Sequence, residues 1–118
     1  MSVWAKLQYE RIEAGSPRGI IYRLEGALTD SKESYDFLEA LKGDAKGGRP
    51  SALVNLEKVE RITSSGVGIL CACFTSVLAA GGGLHLAGVS KRNRTLLQAV
   101  GLWGKLAVHD SEEGVNLE

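Results

Sequence analysis

Two serines in the stretch ITSSGVGIL, residues 62–70, are the side chains of this sequence with the clearest capacity for chemistry. Hydroxyls at such a position can act as nucleophiles, help to hold a phosphate, cap a helix or accept a phosphoryl group from another enzyme. The order Ser-Ser-Gly-Val-Gly at 64–68 does not match the Gly-x-Ser-x-Gly turn that carries the nucleophile of many hydrolases. No Gly-Lys pair occurs at this turn, so a phosphate-binding P-loop is not expected either.

A serine nucleophile also needs a general base, and the sequence offers no clear candidate. The two histidines, His85 and His109, lie in apolar, strand-like runs without a second metal ligand at a suitable spacing. Cys71 and Cys73 are the only cysteines, and on a helix they point about 200° apart, which prevents both chelation of one metal and a disulfide. We therefore expect two reduced thiols, no catalytic activity, no metal site and no cofactor.

Length and composition favour one globular domain over residues 1–118, and the two reduced thiols favour a location in the cytoplasm. Of the 118 residues, 44% are hydrophobic, and fourteen Lys and Arg residues balance fourteen Asp and Glu residues. This neutral net charge gives no electrostatic reason to expect nucleic acid as a partner. The apolar stretches are much shorter than the roughly 20 residues that span a bilayer, and no signal peptide is recognised. Direct insertion into a membrane is therefore not expected.

The secondary structure that holds these residues can be predicted from hydrophobic periodicity. It indicates an α/β fold with the order β-β-α-β-α-β-α-β. Residues 3–12 and 20–28 alternate as paired strands do, and residues 29–44 have the spacing of a helix that Gly43 can end. The remaining predicted elements are a strand at 51–59, a helix at 64–80, a strand at 84–89, a helix at 90–102 and a strand at 105–110. Helices between strands indicate parallel pairs with right-handed crossovers, so one small mixed sheet packed against helices is expected.

The helix that begins at the serines is unusual because no charged residue occurs from Ser64 to Gly83. Its larger apolar side chains form one stripe that is expected to face the sheet: Val67, Leu70, Cys71, Phe74, Val77 and Leu78. That stripe leaves Ile69 and Cys73 on another side. A helix without a charged outer face is either covered within the fold or meets a partner, so this surface predicts protein binding. Simple capping of the helix by the serines is the alternative that requires no function.

As a whole, the sequence resembles the STAS domain, the fold of bacterial anti-sigma factor antagonists. The most specific match is VNLEKVERITSSGVGIL, residues 54–70, which resembles the family's strand, connector and Asp-Ser-Ser-Gly-Leu-Gly-x-Leu signature. LEGAL at 24–28 resembles the family's Gly-x-Leu after the second strand, and residues 84–113 resemble its usual C-terminal part. The resemblance covers essentially the whole chain.

This resemblance implies a switch that is controlled by phosphorylation. In such proteins, the serine after the motif's Asp is phosphorylated by a partner that is both an anti-sigma factor and a serine kinase. The unphosphorylated form captures that partner and frees a sigma factor, and a phosphatase resets the cycle. By position the resemblance assigns the phosphorylated serine to Ser64, with Ser65 (otherwise a helix cap) and Thr63 as less favoured acceptors. The predicted contact surface comprises Thr29, Asp30, Glu60, Arg61, Thr63, Ser64, Ser65, Gly66, Val67, Ile69 and Cys73.

Two departures from the family pattern concern acidic residues near the serine. Thr63 occupies the place of the motif's Asp, and Thr29 occupies the place of an Asp that often follows Gly-x-Leu, with Asp30 one position later. If those acids orient the serine or contact the kinase, phosphorylation is slower, moves to Thr63 or is lost. The alternative function is therefore a binding module without the switch, such as the STAS subunit of a lipid-transport ABC system or a stress-signalling scaffold. A monomer or a weak homodimer is expected.

Overall fold

The computed structural model describes residues 4–117, which form one five-stranded sheet and three α-helices. The strands are β1 (Gln8–Glu13), β2 (Gly19–Leu28), β3 (Ser51–Ile62), β4 (Gly83–Ala87) and β5 (Ala107–His109). The helices are α1 (Lys32–Lys46), α2 (Ser64–Ala79) and α3 (Lys91–Ala99), and a 3₁₀ turn covers Trp103–Lys105. This order confirms the predicted α/β fold and its sequence of elements.

The sheet has the order β1-β2-β3-β4-β5. β1 pairs with β2 in antiparallel orientation, as a hairpin does, and the other neighbouring strands are parallel. Parallel strands require a crossover connection, and here α1, α2 and α3 supply it. Each helix follows the carboxyl end of a strand, so all three helices begin at the same edge of the sheet.

The alternation of side chains along β2 shows how the sheet buries one face under the helices. Ile20, Tyr22 and Leu24 are buried, whereas Arg23 and Glu25 are exposed on the opposite face. The core under the helices also contains Phe37, Leu41, Val54, Leu56, Leu70, Val77, Leu86 and Leu97. Packing of this core fixes where each helix starts relative to the sheet.

The opposite face of the sheet is partly covered by the segment that follows β5. Leu117 is buried there together with Leu53 of β3 and Ala87 of β4. Glu112, in the same segment, accepts a hydrogen bond from Nη2 of Arg23 at 2.5 Å. The segment after β5 therefore covers apolar residues on this face, as the helices do on the other.

Two predicted boundaries in the first half of the chain are wrong. β1 begins at Gln8 rather than at residue 3, and the predicted residue Val3 lies outside the described residues. α1 does not end at Gly43 but continues to Lys46. The extra turn places Ala45 in the core, and this tertiary contact outweighs the low helix propensity of a single glycine.

β3 is longer than predicted, because it continues beyond Val59 to Ile62. Main-chain pairing with β2 sustains the extension: Arg61 pairs with Ala27, and Ile62 pairs with Leu28. Most of the connector predicted at 60–63 is therefore part of the sheet. Within residues 4–117, no helix combines the length and apolar character that crossing a membrane requires.

Candidate functional site

The two serines lie in the first turn of α2, at the edge of the sheet where the parallel strands end. β3 ends at Ile62, one residue separates strand from helix, and α2 begins at Ser64. β2 ends beside this junction, since Leu28 pairs with Ile62. This tight connection places the serine hydroxyls where the ends of β2 and β3 meet.

Thr63, the single residue between β3 and α2, caps the helix. Its side-chain oxygen accepts a hydrogen bond from the Gly66 N–H at 3.3 Å and donates one to the Leu28 carbonyl oxygen at 3.4 Å. Its extended backbone, with φ −90° and ψ 176°, is the conformation expected of an N-cap residue. The prediction that Ser65 caps the helix is therefore wrong, because α2 begins before that residue and Thr63 makes the turn.

Gly66 allows the first turn of α2 to lie directly against the end of β2. A Cβ atom at this position would lie 2.3 Å from the Leu28 carbonyl oxygen and 2.9 Å from Cγ2 of Ile62. Any side chain here would push the helix away from the strand. Gly68, one half-turn later, is exposed and has nothing within 4 Å of its Cβ position. Packing therefore requires the first glycine of Gly-Val-Gly but not the second.

The two serines differ in solvent exposure from the two residues that follow them. Ser64 and Ser65 are exposed, whereas Gly66 and Val67 are buried. Within residues 4–117, neither serine hydroxyl has a hydrogen-bond partner. The serines occupy the first two helical positions, whose backbone N–H groups have no acceptor within the helix and lie at the positive end of its dipole. A phosphoryl group on either hydroxyl would therefore meet hydrogen-bond donors and positive potential.

The loop after β2 borders the same junction. The Thr29 N–H donates to Oγ of Ser34 at 3.0 Å, and the Thr29 hydroxyl accepts from the Ser31 N–H at 3.1 Å. Ser31 in turn caps α1. Asp30 is exposed. The N–H and hydroxyl groups of Thr29 are therefore both hydrogen-bonded within its own loop, whereas the Asp30 carboxylate is exposed to solvent.

Glu60 and Arg61 hold the N-terminal segment against the end of β3. Oε1 of Glu60 accepts a hydrogen bond from the Ala5 N–H at 2.9 Å, and the Arg61 guanidinium carbon lies 4.7 Å from the centre of a Trp4 ring. Glu60 is exposed and Arg61 is partly exposed. Both residues therefore have an intramolecular role that the sequence did not predict, and both stay accessible.

The approach of the N-terminal segment to β2 depends on a glycine within that strand. The Ala5 carbonyl oxygen accepts a hydrogen bond from the Ala27 N–H at 3.0 Å. Gly26 has a φ of +97°, and a Cβ atom there would lie 2.5 Å from the Lys6 carbonyl oxygen. Gly26 is also the glycine of LEGAL. A glycine inside a strand indicates a close backbone approach, so a signal for this contact was present in the sequence.

Ile69 and Cys73 are only 2% and 0% exposed, so the prediction that they contact a partner is wrong. α2 packs against α1 as well as the sheet, and the face it buries is therefore rotated from the predicted stripe. Cys71 and Leu78, which were assigned to that stripe, are exposed. Burial raises the pKa of the Cys73 thiol to about 12.

The two histidines are bonded to each other rather than to a serine. Nδ1 of His85 lies 2.9 Å from Nε2 of His109, and the rings stack at a 21° interplanar angle. Burial, together with the nearby His109 ring, lowers the pKa of His85. Within the described range 4–117, no group of three or more His, Cys, Asp and Glu side chains could hold a metal ion.

A family model of the STAS domain matches residues 9–114 of this chain. The chain belongs to the STAS domain family. The matched region includes the β3–α2 junction and both serines, which confirms the resemblance inferred from the signature at 54–70.

Solved structures of similar fold include several STAS proteins. The unphosphorylated form of the anti-sigma factor antagonist SpoIIAA is 22% identical, with a TM-score of 0.76 and 90% of each chain covered. An anti-sigma factor antagonist from Mycobacterium paratuberculosis is 15% identical, with a TM-score of 0.77 and 92% of this chain and 89% of that chain covered. A sulfate transporter family protein from Wolinella succinogenes is 21% identical, with a TM-score of 0.69 and coverages of 86% and 84%. At these identities, the likeness establishes the fold. No curated protein sequence matches the chain.

In this STAS domain, the candidate site is a small exposed surface at the start of α2. We call the exposed residues Asp30, Ser64, Ser65 and Gly68 the serine edge. Its hydroxyls are accessible and lie beside backbone N–H groups that have no acceptor within the helix. The serine edge is therefore a surface that another protein can reach.

Proposed function

We propose that this STAS domain is an anti-sigma factor antagonist that acts in the cytoplasm. In its unphosphorylated form it binds an anti-sigma factor that is also a serine kinase, and a sigma factor is thereby released. Phosphorylation of Ser64 by the kinase ends this binding, and a phosphatase restores it. The observation that carries the proposal is a pair of exposed hydroxyls that have no hydrogen-bond partner among residues 4–117, at a helix start that Thr63 already caps.

Ser64 is the favoured acceptor because its hydroxyl forms no hydrogen bond with the described part of the chain. The Thr63 hydroxyl bonds to the Gly66 N–H and to the Leu28 carbonyl, and phosphorylation there would break both bonds. Thr63 also accounts for the missing acid of the family motif, since Thr and Asp are both favoured N-cap residues. The replacement therefore leaves the helix start intact. Ser65 is the second acceptor.

A phosphoryl group at Ser64 is expected to change the surface without changing the fold. It would add a charge of about −1.5 to −2 near neutral pH, at the positive end of the α2 dipole. The first turn of α2 contains no acidic side chain that would repel it. The same charge, placed on a surface that had been in contact with a partner, would oppose binding through repulsion and desolvation.

The proposed contact surface is the serine edge together with the accessible parts of its neighbours. Thr29, Thr63 and Arg61 are partly exposed around it, and Glu60 is exposed. Gly66 and Val67 were also predicted to contact a partner, but both are buried, so they lie beneath this surface and that prediction is wrong for them.

Affinity capture with paired variants tests the proposal. The baits are wild type, Ser64→Ala, Ser64→Asp and Ser65→Asp, in extract of the native organism, with mass spectrometry as the readout. Wild type, Ser64→Ala and Ser65→Asp are expected to retain a kinase-type anti-sigma factor that Ser64→Asp loses. Ser65→Asp is the matched control, because it adds the same charge one residue away.

A second step tests the modification itself. The purified partner and ATP are expected to phosphorylate wild type, but not Ser64→Ala, as seen by intact mass. A phosphoryl group mapped to Thr63 would mean that Thr63, and not Ser64, is the residue that the kinase modifies. Retention of the same proteins by all four baits would contradict a phosphorylation switch.

A binding module without a switch is the second candidate. It is favoured by the two threonines, Thr29 and Thr63, that replace the family's acidic residues. Such a module would keep its partners, for example the subunits of a membrane ABC transporter, on the Ser64→Asp bait. The four baits therefore distinguish the two candidates.

A further inference from the structure

Charge is distributed unevenly along this chain. From residue 61 to residue 109 the sequence contains five cations and no Asp or Glu, and the cations are Arg61, Lys91, Arg92, Arg94 and Lys105. The rest of the sequence contains nine cations and all fourteen acidic residues. A protein of zero net charge therefore has a positive region, and most of its cations belong to α3 and the 3₁₀ turn.

Four of these cations lie on α3 and on the 3₁₀ turn that follows it, and we call them the α3 basic patch: Lys91, Arg92, Arg94 and Lys105. All four residues are exposed. The guanidinium carbon of Arg94 lies 5.1 Å from the centre of the Trp103 ring. This contact joins the helix that carries three of the cations to the turn that carries Lys105.

The α3 basic patch lacks the ion pairs that are found elsewhere in the domain. Within residues 4–117, no carboxylate oxygen lies within 4.0 Å of any of its four cationic groups. By contrast, Arg11 lies 2.6 Å from Asp44, and Arg23 lies 2.5 Å from Glu112. The guanidinium and ammonium groups of the patch are therefore available to carboxylates of another molecule.

Favourable charge interactions within α3 do not account for these cations. Lys91, Arg92 and Arg94 lie in its first turn, near the positive end of the helix dipole, where acidic side chains would stabilise the helix. Lys91 and Arg94 are three residues apart on one face, where like charges repel. The cations are thus present despite a local electrostatic cost, which points to a role in binding.

We infer that the α3 basic patch binds an acidic surface of another protein. Trp103 is partly exposed and contacts Arg94, and Val100 at the end of α3 is 50% exposed, so the elements that carry the cations also expose apolar area. Arg and Trp are among the residues that dominate the energetics of protein interfaces. The inference does not rest on the proposed function, because none of these residues belongs to the serine edge.

A protein fits this surface better than a nucleic acid does. α3 is about 14 Å long, which matches one short helix or strand. Tight binding of nucleic acid depends on neutralising many phosphates, whereas this patch offers four cations. The excess of acidic residues in the rest of the domain would also repel an extended polyanion.

A titration followed by NMR tests the inference. The probe is a synthetic helical peptide that combines Glu with Leu and Phe, added to the ¹⁵N-labelled full chain at low ionic strength. Backbone signals of Lys91–Val100 and the Trp103 indole N–H are expected to shift. Arg92→Gln/Arg94→Gln is expected to weaken binding about tenfold, through the loss of two ion pairs.

Two further double variants make the test specific. Lys91→Gln/Arg92→Gln keeps the stack of Arg94 on Trp103 and is expected to weaken binding as well. Lys46→Gln/Lys58→Gln removes two other exposed cations and is expected to leave the affinity unchanged. Equal losses in all three variants would overturn the inference. Equal binding of a peptide with Gln in place of Glu, or tighter binding of duplex DNA or phosphatidylserine vesicles at the same ionic strength, would also overturn it.

Discussion

At the scale of single residues, four neighbours at the start of α2 have three different tasks. Thr63 uses its hydroxyl for the cap, Ser64 and Ser65 leave theirs in solvent, and Gly66 makes room for the end of β2. Local sequence does not distinguish the hydroxyl residues, because Ser and Thr are both good N-cap residues. Strand pairing decides which of them is the cap. β3 is paired with β2 up to Ile62, so the next residue, Thr63, caps α2.

The two glycines of Gly-Val-Gly give a matched pair for a stability test. Gly66→Ala is expected to lower the free energy of unfolding by about 2 kcal/mol or more, because the new Cβ would overlap the Leu28 carbonyl oxygen. Gly68→Ala is expected to raise it by about 0.5–1 kcal/mol, because the space is open and Ala has the higher helix propensity. Urea denaturation measures both. Equal effects of the two substitutions would contradict the close contact of α2 with β2.

At the scale of elements, β1 is an edge strand, and a partly exposed polar contact holds it against helix α1. Five of its six residues are exposed, and its charged side chains discourage pairing with other chains. Arg11 of β1 donates to Asp44 of α1 at 2.6 Å and 2.9 Å, and the Tyr22 hydroxyl of β2 also donates to this carboxylate. The carboxylate of Asp44 therefore joins the two strands to the helix.

The charge of Asp44 makes this contact depend on pH. Burial by itself would raise the pKa of Asp44, but the hydrogen bonds from Arg11 and Tyr22 outweigh burial and lower it. A carboxyl group with a lowered pKa in the folded state contributes stability above its unfolded pKa, and this contribution is lost as the pH falls through the folded pKa. Asp44→Asn is therefore expected to cost about 1–2 kcal/mol at pH 7 and progressively less below about pH 4.

Urea denaturation of wild type and Asp44→Asn at several pH values measures this difference. Asp36→Asn is the control, because Asp36 forms an exposed ion pair with Lys32 on the same helix. That control is expected to change the free energy of unfolding by only about 0.3–0.5 kcal/mol. A difference between wild type and Asp44→Asn that did not shrink in acid would show that the Asp44 charge is not what joins the elements.

At the scale of the whole molecule, the sheet is covered on its two faces by different kinds of structure. Helices cover one face, and the segment after β5 covers part of the other, with Leu117 only 4% exposed against Leu53. A Cβ atom at Gly19 would lie 2.8 Å from Cβ of Leu117, so the segment lies close to the start of β2. This segment therefore belongs to the folded core, although it contains no helix or strand of its own after β5.

Leu117→Ala is expected to lower the free energy of unfolding by about 2–3 kcal/mol, because it removes buried apolar volume from the second face. Glu113→Ala, in the same segment but exposed, is expected to change it by less than about 0.5 kcal/mol. Thermal or urea denaturation of the full chain measures both. A negligible effect of Leu117→Ala would mean that this segment does not stabilise the sheet in solution.

The order of the elements was predictable because strand and helix periodicities are local and differ strongly in this chain. Their ends were less predictable, since distant partners set them. Gly43 did not end α1, because packing of Ala45 sustained another turn. β3 did not end at Val59, because β2 pairs with two further residues, Arg61 and Ile62.

The sequence by itself determined the α/β order, the STAS family and the position of the serines at a strand-to-helix turn, because all three depend on residue types at fixed spacing. Only the tertiary structure decided that Thr63 is the cap, and that Ile69 and Cys73 lie in the core rather than on a binding surface. An uncharged helix such as α2 has no local pattern that marks its outer face. Its orientation is therefore set by contacts with α1 and the sheet, which are distant in sequence.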